Sequence, residues 1–260
     1  MLSSPLGARG FIWLGVMTII YSQSNSPTFN LATEEYLFSQ SQDDMLFLYV
    51  NNPSVIIGSN QAIQNEVDLE FCTKNNIQVV RRMSGGGAVY HDTGNLNYCF
   101  ISNKQDNKSS LSSDFLEPIV SVLNELDIPV SIGKRKDLWL QNEFKISGTA
   151  SHVGKMRELH HGTLLYDTKL DVLENALSPK SVDSTIKATS SVRSSVKNLR
   201  AYFENEGEIR LNSVGFFDLL IQKLGQYFQV EQHFTLTDVV ISEISLLEEK
   251  YRSNDWTFKK

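Results

Sequence analysis

The chain has 260 residues, 41% of them hydrophobic and 21% charged, enough for a sizeable core in one large domain or two small ones. A formal charge of −6 and a pI near 5.4 argue against a nucleic-acid backbone as partner, which would call for a basic face. The two cysteines, Cys72 and Cys99, stand in no CxxC or Cys/His metal spacing and point to a reducing compartment with both thiols reduced and partly buried.

Phe11 to Ile20 (FIWLGVMTII) is an apolar run too short to span a bilayer, so no membrane segment is expected there. It has the length of a signal-peptide core with Arg9 ahead of it, but no small-residue cleavage site follows. A mitochondrial presequence would carry more arginine. Met17 to Tyr21 reads instead as a first strand, with residues 1–16 an extension or the product of an upstream start codon. Ser26-Pro27 opens a helix from about Phe29 to Ser39, placing Leu31, Tyr36, Leu37 and Phe38 towards a core. Met45–Val50 and Val55–Gly58 read as strands split by the turn Asn51-Asn52-Pro53-Ser54, and Asn65–Lys74 as a weaker helix with Cys72 on its inner face.

The chain is organised around the next stretch, Val79 to Ile101 (VVRRMSGGGAVYHDTGNLNYCFI). Two strand-like runs, Ile77–Val80 and Leu96–Ile101, flank a turn with three successive glycines, Gly85–Gly87. Without Cβ atoms the backbone can come very close to a ligand and take φ values closed to other residues. Arg81 and Arg82 precede the turn, and Tyr90, His91, Asp92 and Asn95 follow it. Bare amides beside guanidinium groups suit an anion such as a phosphate. Gly-Gly-Gly alone also fits an ordinary hairpin turn, and neither GxxxxGK[ST] nor GxGxxG is present.

Asn103–Ser113 is a polar loop, and Ser113 caps a helix from Asp114 to about Leu126 with Pro118 near its first turn. Val130–Ile132, Asp137–Leu140 and Phe144–Ser147 read as short strands, the last two joined by the turn Gln141-Asn142-Glu143. In that hairpin Lys145 alternates with Phe144 and Ile146 and so faces away from both. The strand Leu159–Tyr166 carries His160 and His161, which point to opposite faces and cannot chelate one ion together. Leu170–Leu177 is helical. Residues 180–198 hold six serines and few apolar residues, the best candidate for a mobile loop. Helices from about Ser213 to Phe228 and Leu236 to Tyr251 complete an α+β (mixed α/β) domain, with helices on a largely antiparallel sheet.

RRMSGGGAVYHDTGNLN resembles the signature of lipoate–protein ligases and lipoyltransferases, a family that shares its catalytic-domain fold with biotin protein ligases. Lys145-Ile146-Ser147-Gly148 resembles the family's K-[IV]-S-G motif, and His160-His161-Gly162-Thr163-Leu164-Leu165 a strand that helps line its acyl pocket. Ser191 to Leu199 resembles the segment that closes over the adenylate and keeps water from it. The resemblance runs from Met17 to Phe258 and implies a catalytic domain over residues 17–260. It departs from the family pattern after Trp256, where an accessory domain, supplied by a separate small chain in some relatives, would begin.

The resemblance implies a two-step ligase. Lipoate and Mg-ATP give lipoyl-AMP, and a lysine amine on a lipoyl carrier domain (an E2 subunit or the glycine cleavage H protein) then takes the acyl group. Lys145 is the implied catalytic residue, polarising phosphate and carbonyl oxygens. Arg82, Gly87, Ala88, Val89, Tyr90, Asn95 and Asp137 would join it around ATP and the adenylate. Arg81, Ser84, Gly85, Gly86, Ser147, Gly148 and His161 would form the lipoate side. Mg²⁺ would be held by phosphates and water, with no protein metal site. The implied setting is cytoplasmic, or mitochondrial in a eukaryote. Related octanoyl- and lipoyl-transferases use a cysteine nucleophile, which in one branch lies near the position of Asp137; the stretch RKDLWL has none. The alternatives are a transferase that uses preformed lipoyl-AMP or needs a partner chain, an octanoyltransferase, and a non-catalytic adenylate-binding module.

Overall fold

The computed structural model describes residues 17–105, 109, 112–202, 211–230 and 234–259, so the extension expected at 1–16 and part of the polar loop after Asn103 lie outside the described residues. Among these, the strands form three sheets. The first has the order β1 (Thr18–Tyr21), β2 (Met45–Tyr49), β6 (Asn95–Asn103), β11 (Arg157–Leu165) and β10 (Thr149–Val153). The second places β3 (Ser54–Ile57) between β4 (Gln78–Arg81) and β5 (Val89–His91). The third is the meander β7 (Val130–Ile132), β8 (Leu138–Leu140) and β9 (Phe144–Ser147). Pairing is antiparallel except for β1 with β2 and β3 with β4, which bears out the α+β reading.

The two faces of the first sheet follow from strict alternation along β2 and β6. Leu46, Leu48, Tyr98 and Phe100 turn to the main core beneath α3 (Glu117–Glu125) and α5 (Ser213–Phe228). Phe47, Tyr49, Cys99 and Ile101 turn the other way, towards Leu37 of α1 (Pro27–Gln40). In β3, Val55 and Ile57 face a cluster with Cys72 of α2 (Leu69–Lys74) and Ala176 of α4 (Leu170–Ala176). Ile56 faces Leu31 of α1 and Ile244 of α6 (Asp238–Arg252) on the opposite side. Both β2 and β3 read as unbroken apolar runs because both of their faces are covered. A short α7 (Asn254–Thr257) ends the described fold.

Several boundaries differ from expectation. The weaker helix shrinks to α2, capped by Asp68, and a 3₁₀ turn occupies Ile63–Asn65. Ser113 makes no side-chain cap; Asp114–Leu116 is a 3₁₀ turn and the α-helix starts only at Glu117, with Pro118 in its first turn. The two runs flanking the glycines are not a hairpin: β4 and β6 belong to different sheets, and the unexpected β5 lies between them. The second unexpected strand, β10, carries small and polar residues (Thr149 to His152) whose sequence hides the period. The hairpin turn at Gln141-Asn142-Glu143 is as expected: Glu143 N donates to Leu140 O at 3.0 Å, and Gln141 and Asn142 take φ of 51° and 59°, the left-handed pair of a tight hairpin turn.

Gly94 locks the two ends of the motif region. Its carbonyl accepts from the amides of Tyr166 and Asp167 at 3.0 Å each, and a Cβ there would lie 2.1 Å from the Asp167 carbonyl oxygen. Gly94→Ala should therefore cost about 1–3 kcal/mol, read as a lower urea midpoint at an unchanged m-value.

Candidate active site

All three sheets contribute to one cleft of about 290 Å³. Its walls are Leu31 of α1, Tyr49, Ile56, Val89, His91 and Asn97 of β2, β3, β5 and β6, and His161 to Thr163 of β11. Arg82 and Gly86 to Ala88 enter from the glycine turn. Arg135, Asp137, Lys145 and Gly148 to Ala150 come from the third sheet and the start of β10, and residues Thr189 to Val192 cross the mouth. A larger open groove of about 670 Å³ between β1 and α5 carries Gln222, Gln226, Asp218 and Phe234 but none of the motif residues. Size does not mark the site; convergent chemistry does.

Arg82 is buried at 3% exposure, yet none of its bonds leaves the protein. It donates to the carbonyls of Ile56 (3.0 Å), Gly85 and Gly87 (2.8 Å) and to Ser84 Oγ (2.9 Å). Burial pulls its guanidinium down to about 10, opposed by the charge of Glu34, so it stays charged at neutral pH. Ser84 Oγ lies 2.7 Å from His161 Nε2, and His161 Nδ1 lies 2.8 Å from Glu34, whose carboxylate also accepts from Tyr49 at 2.9 Å. A chain of buried polar groups thus runs from α1 through β11 to the glycine turn.

Arg81 points away from the cleft and donates to the carbonyls of Gly58, Ser59, Gln61 and Thr257. Ser84, Gly85, Tyr90, Asn95 and Ser147 stand behind the cleft wall rather than on it. Tyr90 packs into the α2/α4 cluster, Asn95 donates to Asn97 Oδ1 (2.9 Å), and Ser147 bonds Tyr98 (2.9 Å). Arg82, Gly86, Gly87, Ala88, Val89, Asp137, Lys145, Gly148 and His161 do come together there.

Lys145 Nζ lies 3.3 Å from Asp137 Oδ2, and Arg135 stands 3.7 Å from the same oxygen. Burial lowers the Lys145 ammonium below the usual lysine range, with Asp137 opposing. Burial works to raise Asp137, but the Trp139 side chain and Lys145 outweigh it and leave the carboxyl below its usual value. Residues 180–198, the expected mobile loop, strap down beside this pair. Lys145 N donates to Ser195 O (2.9 Å), Lys197 N to Lys145 O (3.1 Å), and Ala88 N to Ser191 Oγ (2.9 Å).

Ligand-type atoms of Glu34, Cys99 and His161 lie within 4.8 Å of one another. Burial pushes the Cys99 thiol well above its usual range, and Glu34 already accepts from Tyr49 and His161, so the trio reads as a hydrogen-bonded cluster. Cys72 is raised to about 11 by burial, and neither cysteine lines the cleft. Neither is a poised nucleophile. Sequence reasoning missed Glu34 and Tyr49, and gave no individual role to Asn97, Thr163 and Ser191, which lie within the stretches that carry the resemblance. A glutamate on the face of α1 that also carries Leu31 was the one signal available for Glu34.

Residues 26–214 match the model of the lipoyl protein ligase A/B catalytic domain. Lipoate–protein ligase 1 of Staphylococcus aureus is 37% identical over 235 residues, covering 89% of this chain and 70% of that one. A chain from the structural analysis of a bi-partite lipoate protein ligase and its E2 lipoyl domain from Thermoplasma acidophilum superposes with a TM-score of 0.76 at 27% identity, covering 94% of this chain and 96% of that one. A lipoate–protein ligase A bound with ATP superposes at 0.74 with 25% identity, covering 94% and 98%.

Two outcomes follow from the geometry. Glu34→Ala leaves the buried Arg82 charge without its counter-charge and should cost about 3–5 kcal/mol in urea unfolding, with Glu34→Gln costing less. Lys145 acts as a cation only below its own pKa. Activity of the free enzyme, read as kcat/KM, should therefore be lost as pH rises through a value below the ordinary 10.5 of lysine.

Proposed function

The chain belongs to the lipoyl protein ligase A/B catalytic-domain family, and on that premise we propose the reaction it carries out and the part each cleft residue takes. It is an ATP-dependent lipoate–protein ligase. A lipoate carboxylate oxygen attacks the α-phosphorus of ATP, the bond to the β-phosphate oxygen breaks, and pyrophosphate leaves with the electron pair. The ε-amine of a carrier lysine then attacks the carbonyl carbon; AMP leaves and the nitrogen gives up its proton.

The observation that carries this is the half-buried Lys145 beside Asp137 at the cleft wall. Asp137 keeps the ammonium charged and aimed, so it meets charge building on the α-phosphate and carbonyl oxygens without reorganising. Backbone amides of the glycine turn and the half-exposed Arg135 suit the phosphates. Asp137 is the one carboxylate among the described lining residues and is already paired with Lys145 and Arg135. The described lining thus offers Mg²⁺ no carboxylate cage, and the ion would arrive on the ATP phosphates and shield their charge.

The proposed acceptors are lipoyl carrier domains of E2 subunits or the glycine cleavage H protein. Two free, buried cysteines fit a cytoplasmic setting, and no helix among the described residues is long and apolar enough to cross a membrane. A second reading, activation assisted by a separate chain, is favoured by the likeness to the bi-partite ligase.

Pyrophosphate release from the purified chain with lipoate and Mg-ATP tests the first step. Lipoate-dependent release supports a self-sufficient ligase, while carrier modification only from supplied lipoyl-AMP supports the assisted reading. Lys145→Ala should lower kcat for both half-reactions by about 10²–10³; near-normal transfer would remove Lys145 from the mechanism.

A further inference from the structure

His91 is 3% exposed, lines the cleft, and carries a ring nitrogen, Nε2, that has no partner among the described residues. A buried polar atom without a partner costs free energy unless something supplies one. The tautomer of this ring is fixed from behind. Ser22 Oγ donates to Asn30 Oδ1 (2.6 Å), and Asn30 Nδ2 donates to Asn51 Oδ1 (2.8 Å). With its oxygen thus engaged, Asn51 presents its amide nitrogen to His91 Nδ1 at 3.0 Å. Nδ1 must accept, so Nε2 carries the proton. Arg82 and His161 are the other charged or titratable groups bearing on the ring, and after burial both act against its protonation. Together they lower the imidazole to about 3, leaving it a neutral donor across the physiological range.

The position of that donor along the cleft follows from β5. Val89 and His91 share the cleft face of the strand while Tyr90 turns to the core behind. Val89 flanks Gly148 together with Lys145: a Cβ on Gly148 would lie 3.6 Å from Lys145 Cε and 3.9 Å from Val89 Cγ1. His91 therefore sits one pleat repeat, about 7 Å, away from the reacting end. An acid whose carboxylate lies at Lys145 reaches that depth with the far end of its short alkyl chain. In lipoate this end is the dithiolane, whose sulfurs are weak acceptors; in octanoate it is hydrocarbon.

Resting on the ligase reading above, we propose that His91 is the specificity-determining residue that tells lipoate from octanoate, donating Nε2–H to a dithiolane sulfur, with Asn51 and Asn30 as positioning residues that hold its tautomer. A plain alkyl tail leaves the donor unsatisfied, so it binds less well for the same volume.

Equilibrium binding of lipoate and octanoate to the purified full chain tests this without any turnover. His91→Phe should weaken lipoate about three- to tenfold, the worth of one hydrogen bond, and change octanoate less than about twofold. His91→Gln, which keeps an N–H donor, should retain most of the preference. Equal losses for both acids, or no loss for lipoate, would overturn the proposal. Since a variant can fail through misfolding, ¹⁵N NMR of the unaltered protein gives a separate check. The His91 ring should show the neutral Nε2–H tautomer from about pH 5 to 8, and an Nδ1–H tautomer or an imidazolium there overturns it. A parent chain that binds neither acid overturns the ligase reading itself, and this inference with it.

Discussion

A buried guanidinium sets the shape of this site. Arg82 cannot leave its donors unpaired inside the protein, and the carbonyls of Ile56, Gly85 and Gly87 converge on it. A trans peptide points its N–H opposite to its C=O. Each carbonyl drawn inward to Arg82 therefore turns the next amide outward, and the Ala88 N–H is found on the cleft side, bonded to Ser191 of the strap. The glycines are what this demands. Gly86 takes φ +86°, and a Cβ on Gly58 would lie 2.2 Å from the Gly86 carbonyl oxygen. The arginine thus turns the Ala88 amide of the glycine turn toward the cleft from behind.

The same charge explains the polar chain beneath the cleft. Glu34 is the counter-ion, buried at 1% exposure on α1. It reaches Arg82 through His161 and Ser84 rather than by direct contact. An arrangement of this kind adds little net stability over an apolar core, but removing one member exposes the rest to a low dielectric. Its return is a fixed geometry: β11, α1 and the glycine turn cannot shift independently.

Local signals made most of the elements legible. The apolar runs of β2 and β6, the Ser26-Pro27 helix entry and the Gln141-Asn142-Glu143 hairpin were all readable, since each depends on neighbours a few residues apart. What could not be read was non-local. The strands β4 and β6 flank the glycines in sequence but lie in different sheets, and β10 shows itself only through its pairing with β11. The motif residues fall into two groups for the same reason. Lys145, Asp137, Gly86 to Val89 and His161 line the cleft, while Arg81, Tyr90, Asn95 and Ser147 support it from behind. Spacing identifies a motif but not which of its side chains turns outward. Glu34 and Tyr49 carry no motif of their own and join the site only once the sheet is folded.

The strap over the cleft ties chemistry to closure. Val196 forms a parallel bridge with Lys145, whose backbone both donates to Ser195 and accepts from Lys197. The strap is also fixed at Ser191, where Glu66 accepts from the backbone and Gln61 and Ala88 donate to the hydroxyl. One end therefore holds the backbone of Lys145, and the other occupies an amide of the glycine turn. A phosphate taking up the Ala88 amide must displace the Ser191 hydroxyl, and the strap that carries this hydroxyl also backs Lys145. Under the proposed function, seating of the nucleotide and placement of the ammonium are thereby coupled through one serine-rich segment. Its low apolar content suits that coupling, because a strap with a large buried face would be held too firmly to give way.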